Sequence, residues 1–372
     1  MSRVGIMSMQ RIANYGSFLQ AYGLKQLIEG MGHNVEFVDY HVGAPVVKDD
    51  ADNGNKYVRK LEKGLETFRY KAPLSHKLGF IRYKQSFCKK YMPLLGVTTE
   101  MNYNPVLDCL VIGSDEVFNC IQKNSNVGYS PELFGKDNHA KRLMTYAASF
   151  GNTTLEKLDR YGKKDEIGSL LQNFDAISVR DTNSGNIVET LTGRTPAYHL
   201  DPVLMYDYIH CCDKIPELQV SEKYLILYAY SGRISDQEAD WIAAYAKKKR
   251  LKIYAIGGIQ KCADKFIDCS PFEVLAYFKN AEEVITDTFH GSIFSVITHR
   301  RFTTLVRKSV GSSYGNEEKL TDLLERLDLT DRMTFDIQNV ERINRNEINY
   351  EAIDEILKQH RETTLGYLKA NL

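Results

Sequence analysis

The sequence predicts an α/β protein built as two Rossmann-like domains facing a cleft, and three observations predict it. Short apolar runs with strand character recur along the chain, each ending in a polar loop and followed by apolar residues at helical spacing. At 372 residues the chain exceeds what one hydrophobic core usually serves, so two domains are the default. The rhythm also stops once, in the polar stretch Tyr206 to Ser221 with its Pro216, and then restarts. That break divides an N-terminal α/β domain, 1–210, from a C-terminal one, 211–372.

Taking the elements in order, Val4 to Met9 is a short strand. After the loop Asn14-Tyr15-Gly16-Ser17, the residues Phe18, Leu19, Tyr22, Leu24, Leu27, Ile28 and Met31 recur at helical spacing, and Gly30 and Gly32 supply the stop. Val35 to Tyr40 is a second strand, which completes a β-loop-α-β opening unit. In that loop Gly16 lets a ligand approach the backbone and Ser17 caps the helix, so Asn14 and Tyr15 project into the crevice; a plain turn with an N-cap reads the same four residues equally well.

Residues 56–92 change character. Eleven lysines and arginines, from Lys56, Arg59, Lys60 and Lys63 to Lys89 and Lys90, face only Glu62 and Glu66, and Tyr57, Phe68, Tyr70 and Phe80 are interleaved. This reads as a basic helical excursion from the first domain, either a solvated hairpin or a docking surface for anionic lipid head groups or a lipid-linked acceptor.

The strand Leu107 to Ile112 delivers Gly113, Ser114 and Asp115 to a strand end, where Asp115 suits either a general base or a cap for the next turn. Strand Arg142 to Ala148 follows, then a helix over 155–171. The strand Ala176 to Val179 ends in Arg180, an anion clamp or the partner of a neighbouring acid. In HLDPVLM, His199 to Met205, the proline predicts a turn.

The second domain repeats the rhythm: strand Tyr224 to Tyr230 before Ser231-Gly232-Arg233, helix Asp236 to Lys249, strand Leu251 to Ile256, helix Pro271 to Lys279 and strand Val284 to Thr286. The loop with Asp287, Thr288, Phe289 and His290 comes next, and Gly291 opens a buried helix through Ser292 to Ile297. A helix N-terminus at a strand end offers N–H groups to an anion, and His290 sits at its mouth. Strand Phe302 to Val306 leads to Arg307 and a Gly/Ser-rich loop with Val310, Gly311, Ser312, Ser313 and Tyr314. Helices 318–327 and 350–368 close the chain, the last expected to pack back on the first domain.

Composition narrows the function. Lysine plus arginine equals aspartate plus glutamate at 48 each, which leaves no global charge argument for nucleic acid. Seven cysteines without a CxxC pair or zinc-type spacing read as reduced thiols, with no metal expected. No GxGxxG or P-loop pattern is present, and no cofactor is expected. The N-terminal apolar run is too short for a signal peptide and no window reaches the length of a membrane span, so a cytoplasmic location is the default.

NYGSFLQAYGLKQ, VIGSDEVFN, SFG, ISVRD, LDPVLM, TDTFHGSIFSVI and LTDLLERL occur in this order over most of the chain. Together they resemble the polysaccharide pyruvyl transferase family. The resemblance implies a GT-B-like fold and transfer of pyruvate from phosphoenolpyruvate to a sugar of a cell-surface polysaccharide precursor, as a ketal. With the cytoplasmic default and the docking reading of the basic segment, this makes a lipid-linked oligosaccharide an acceptor to expect, with peripheral contact at the inner face of the membrane.

That reaction needs an acid for the donor methylene carbon, a base for the sugar hydroxyl and fixed positive charge for phosphate and carboxylate. His290 and Asp115 are the acid and base candidates. Arg233, Arg180, Thr288, Gly291, Ser292 and Arg307 are assigned to the donor, and Asn14, Tyr15, Gly16, Ser17 and Ser114 to the acceptor. The resemblance implies an arginine two residues before the histidine, where this chain has Thr288. The missing cation must then come from Arg233, Arg180 or Arg307. Two other readings stay open: a GT-B glycosyltransferase placing a nucleotide sugar at the Gly291 helix, and a non-catalytic binding protein of polysaccharide assembly.

Overall fold

A computed structural model describes residues 1–47, 66–308 and 315–372. Lys56, Tyr57, Arg59, Lys60, Glu62 and Lys63 of the basic segment, and Val310 to Tyr314 of the Gly/Ser-rich loop, lie outside them. The chain divides into two compact units, which among the described residues comprise 1–47, 92–206 and 355–372, and 66–91 and 207–354.

The first unit holds β1 (Arg3–Met7), β2 (Asn34–Phe37), β3 (Cys109–Asp115), β4 (Arg142–Ala148), β5 (Ser178–Val179) and β6 (Ala197–Tyr198). They pair in the order β2-β1-β3-β4-β5-β6, every pair parallel. The second unit holds β7 (Tyr224–Tyr228), β8 (Lys252–Ile256), β9 (Lys265–Phe266), β10 (Glu283–Thr286), β11 (Phe302–Leu305) and β12 (Met333–Thr334), in the order β12-β11-β10-β7-β8-β9, again all parallel. Parallel strands are covered on both faces, which is why β7 and the first four residues of β3 read as continuous apolar runs rather than alternating ones.

The strand–helix rhythm is therefore the one the sequence predicts, with four local differences. Helix α1 (Tyr15–Glu29) is capped by Asn14, whose Oδ1 accepts from the N–H groups of Gly16 and Ser17 at 2.7 and 3.3 Å. Ser17, expected as the cap, lies inside the first turn. The single helix expected over 155–171 is two, Leu155–Arg160 and Lys164–Leu171, because Gly162 takes a φ of +64° between them. Pro202 does not end a helix but opens one, Pro202–Met205, since proline's missing N–H costs nothing at the first helical position.

The fourth difference concerns the basic segment. Helix α2 (Leu74–Tyr91) groups with the second unit rather than the first. Its aromatic face is the reason: Phe80 and Tyr83 lie 5.7 and 6.3 Å, centroid to centroid, from Phe266 of β9. The opposite face leaves Leu74 and Leu78 exposed beside Arg82, Lys89 and Lys90.

Three further helices position the residues discussed below. Helix α3 (Asp236–Lys249) follows β7, α4 (Phe289–Ile297) follows β10, and α5 (Tyr350–Asn371) closes the chain. Residues 355–371 of α5 belong to the first unit, where Tyr367 donates to the Thr145 carbonyl at 2.9 Å and Arg361 to the Leu204 carbonyl at 3.2 Å.

Each sheet contains one place where the chain reverses its direction of winding. The chain leaves β1 for β2 on one side and later enters β3 on the other; it leaves β7 for β8 on one side and later enters β10 on the other. At such a point the loops after the two strands diverge and open a crevice at their carboxyl ends. The sequence candidates gather at these two points.

Candidate functional site

At the β1–β3 switch point of the first unit, β3 ends in Gly113, Ser114 and Asp115. Gly113 has a φ of +128° and a Cβ there would lie 2.2 Å from the Tyr146 carbonyl oxygen, so no other residue fits. Asp115 follows with a φ of +77°, a left-handed conformation uncommon for a residue with a side chain. Its Oδ2 accepts from the Ser17 hydroxyl at 2.9 Å and its Oδ1 from the Glu116 N–H at 2.9 Å. A carboxylate has about four lone-pair directions, so capacity remains for a substrate hydroxyl.

Arg180 stands behind this acid. Its Nη1 donates to Asp201 Oδ2 at 3.1 Å and lies 3.9 Å from Asp115 Oδ1. The arginine side chain is 5% exposed and Asp201 is fully buried. Burial opposes the guanidinium charge, but Asp201, Asp115, Glu116 and Asp181 outweigh it and raise the pKa above its ordinary value. Of the two roles the sequence allowed, pairing with an acid is the one the geometry holds.

The remaining acceptor-side candidates are turned inward. Ser114 is fully buried and donates to Gln20 Oε1 at 2.7 Å; Gln20 Nε2 donates to Ser8 Oγ, and Ser8 Oγ to the Ser114 carbonyl, both at 2.9 Å. This ring ties β1, α1 and β3 together beneath Asp115. Tyr15 is 1% exposed and so does not project into the crevice, and Asn14 is engaged as the cap. Gly16 lies in the first turn of α1, its N–H given to Asn14.

At the β7–β10 switch point of the second unit, α4 begins at Phe289, two residues before the predicted opening at Gly291. Thr288 is the N-cap, its hydroxyl accepting from the Gly291 N–H at 2.9 Å. A Cβ on Gly291 would lie 2.1 Å from Thr286 Oγ1, so glycine lets the helix close onto β10. Ser292 Oγ donates to the Thr288 carbonyl at 3.2 Å and meets Thr304 Oγ1 of β11 at 2.8 Å, fully buried. Thr288, Gly291 and Ser292 thus seat the helix on the sheet, and the Gly291 N–H is not offered to an anion. His290 is the second helical residue, half-buried, its ring 5.4 Å from Phe289 and 6.0 Å from Phe294.

At the same switch point, loops from three adjacent parallel strands bring charge together at Asp287. Arg233 after β7 is part-exposed, with its guanidinium 4.8 Å over the Tyr230 ring and Nη1 3.9 Å from Asp287 Oδ2. Arg307 after β11 donates through Nη1 to Glu238 Oε1 of α3 at 2.6 Å. Its Nε and Nη2 are buried without a hydrogen-bond partner among the described residues. Asp287 after β10 is 0% exposed, and among the described residues neither of its carboxylate oxygens completes a hydrogen bond of good geometry, although the Tyr230 backbone draws on it. Burial pushes its carboxyl up to about 6, against the pull of Arg233 and Arg307. Glu238 goes the other way: burial opposes its ionisation, but the Arg307 hydrogen bond and the helix cap outweigh it and lower its pKa.

Arg233 and Arg307 are thus brought to one strand-end cluster, whereas Arg180 belongs to the first unit. Sequence reasoning passed over Asp287, Glu238, Asp201, Gln20 and Ser8. Glu238 carried a signal, since Ser235 and Glu238 form the S-x-x-E capping-box pattern, and both of its hydrogen bonds are present. Asp287 directly follows an apolar strand, a position that marks a strand end without revealing burial.

The family model described as polysaccharide pyruvyl transferase matches residues 14–309. No curated protein matches the chain. Solved structures resemble it at the level of fold. A UDP-N-acetylglucosamine 2-epimerase from Listeria monocytogenes is 8% identical, with a TM-score of 0.51 over 99% of this chain and 95% of that one. The glycosyltransferase of kitacinnamycin is 9% identical, with a TM-score of 0.49 over 100% and 99%. An O-GlcNAc transferase mutant from Thermobaculum terrenum is 12% identical, with a TM-score of 0.43; the match covers 99% of this chain and 65% of that one. The architecture is GT-B-like, two Rossmann-like α/β units.

Proposed function

Because the chain belongs to the polysaccharide pyruvyl transferase family, we propose that it moves pyruvate from phosphoenolpyruvate onto a sugar of a cell-surface polysaccharide precursor as a ketal. The observation that carries the donor assignment is the strand-end cluster of Arg233 and Arg307, in which Arg307 holds two buried N–H-bearing nitrogens without partners. A donor carrying phosphate and carboxylate needs such donors, and Thr288, used as a helix cap, supplies none.

In this reading Asp115 takes the proton from a sugar hydroxyl, whose oxygen attacks the enol carbon of the donor. His290 delivers a proton to the methylene carbon and is reprotonated by the second hydroxyl as that oxygen attacks, while phosphate leaves with the proton taken from the first hydroxyl and the ketal closes. Ser17 and Arg180 hold Asp115 in place. Arg180 is thereby moved from the donor to the acceptor side. The acceptor is lipid-linked, and the exposed face of α2 is where the enzyme meets the inner leaflet; no helix among the described residues is long and apolar enough to cross a membrane.

His290→Ala tests the assignment. The variant should retain the wild-type unfolding temperature and lose pyruvyl transfer by about 10²-fold or more, measured as pyruvate gained by the acceptor in mass analysis. Normal turnover in that variant would sink the role of His290. A thermal shift with UDP-, GDP- or CMP-sugars and none with phosphoenolpyruvate would sink the donor.

A further inference from the structure

Charge in the second unit's cluster is balanced before any ligand arrives: Arg233 and Arg307 face Asp287 and Glu238. An anionic ligand placed among these four groups meets two carboxylates as well as two guanidiniums. Glu238 is already committed, one oxygen to Arg307 and the other to the Ser235 N–H. Asp287 is held more loosely. Its carboxylate is wholly buried at the carboxyl end of β10 beside the switch point; the Arg233 guanidinium, at 3.9 Å, and the Tyr230 backbone draw on it, but among the described residues neither oxygen completes a hydrogen bond of good geometry. A buried polar group left unpaired costs free energy, most of all when charged, so such a group marks a place that a proton or a ligand completes.

We propose that the second unit binds its anionic ligand together with one proton, and that Asp287 holds that proton. The inference rests on the donor-site reading above and adds the protonation state in which the site works. As an ionised group Asp287 would repel the anion through a medium that screens poorly. As a neutral acid it removes one negative charge from the cluster, frees Arg233 for the ligand and donates its O–H to a ligand oxygen. The balance is simple: the ionised site, one solvent proton and the anion give the neutral acid with the anion bound. Burial has already moved Asp287 most of the way, to about 6.

The groups that face Asp287 are Arg233 and the Tyr230 backbone from the loop after β7, Glu238 from α3 and Arg307 from the loop after β11. A guanidinium is not deprotonated in proteins, so neither arginine contributes a slope. Glu238 is held below its ordinary value and stays ionised there. His290 lies three residues on in the same strand–helix connection, and the experiment separates its contribution from that of Asp287.

Sulfate is the probe, because it is a dianion that does not itself titrate near neutrality. Equilibrium dialysis of labelled sulfate from pH 5.5 to 8 should show wild-type affinity falling about tenfold per unit above about pH 6. Asp287→Asn keeps a hydrogen-bond donor and removes the titration, so its affinity should be flat within about twofold and exceed wild type by roughly tenfold or more at pH 7.5. Asp287→Ala, lacking the donor, should bind more weakly than Asp287→Asn at every pH.

A flat wild-type profile overturns the proposal. So does a pH slope that survives in Asp287→Asn, which would place the proton on another group, or loss of binding in a folded Asp287→Asn, which would make Asp287 an ionised acceptor for a ligand hydroxyl. Phosphoenolpyruvate dialysed in parallel separates the two readings. Pyruvyl transfer without the sulfate slope refutes this inference alone, whereas the slope without phosphoenolpyruvate binding refutes the donor alone.

Discussion

Removing the Asp287 charge should make the ligand-free protein more stable, by an amount set by pH. Burial holds the folded-state carboxyl at about 6, against an ordinary 3.8. At about 1.4 kcal/mol for each tenfold change in proton affinity, that difference is worth about 3 kcal/mol. The sign follows from which state keeps the proton. Below pH 3.8 both states are protonated and the group is neutral in the balance. Between 3.8 and 6 the unfolded chain releases the proton that the folded one retains, so stability falls as pH rises; above 6 the deficit is complete. Asp287→Asn lacks that deficit. Its advantage should be about 1.6 kcal/mol at pH 5 and about 3 kcal/mol at pH 7.5, or roughly 6–10 °C in unfolding temperature at the higher pH for a unit of this size. Urea unfolding of both proteins at pH 5, 6 and 7.5 measures it. An advantage that does not grow with pH, or a variant less stable than wild type at pH 7.5, would refute the view that Asp287 is buried uncompensated.

Three other perturbations separate chemistry from support. Asp115→Asn should lose pyruvyl transfer by about 10²-fold or more while remaining folded, and Ser17→Ala, which removes one 2.9 Å hydrogen bond, should lower turnover without abolishing it and cost about 1 kcal/mol of folding stability; equal turnover for Asp115→Asn and wild type would exclude the base role. Arg180→Leu leaves Asp201 buried without its cation and should destabilise by about 3–5 kcal/mol in chemical denaturation, with Arg180→Lys intermediate. Vesicles containing anionic lipid should co-sediment with the wild-type protein and release it at high salt, and Leu74→Ser with Leu78→Ser should abolish that association; binding to neutral vesicles at the same strength would count against an electrostatic contact through α2.

What could be read in the sequence is the local grammar. Leu107 to Ile112 and Tyr224 to Tyr228 announce buried parallel strands because both faces are covered, and the Gly, Ser and Asp residues after them announce strand ends. Capping was harder, since Asn14 and Ser17 are both good caps within one turn and the choice depends on Asp115, 98 positions from Ser17, which claims its hydroxyl. Pro202 misled because the restriction on the residue before proline says nothing against a helix that starts with it. The burial of Asp287 was beyond reach for a different reason. It follows from β7 and β11 flanking β10, an order of strands that local patterns do not encode, and the same T-D-T triplet at a sheet edge would be solvated.

Glu238 divides its labour between two oxygens. Oε2 accepts the Ser235 N–H and so finishes the start of α3, while Oε1 alone holds Arg307. Arg307 can therefore be surrendered to an incoming anion while the helix keeps its cap. The fold and the ligand compete for different atoms of the same side chain, so recognition in this unit need not loosen the scaffold that supports it.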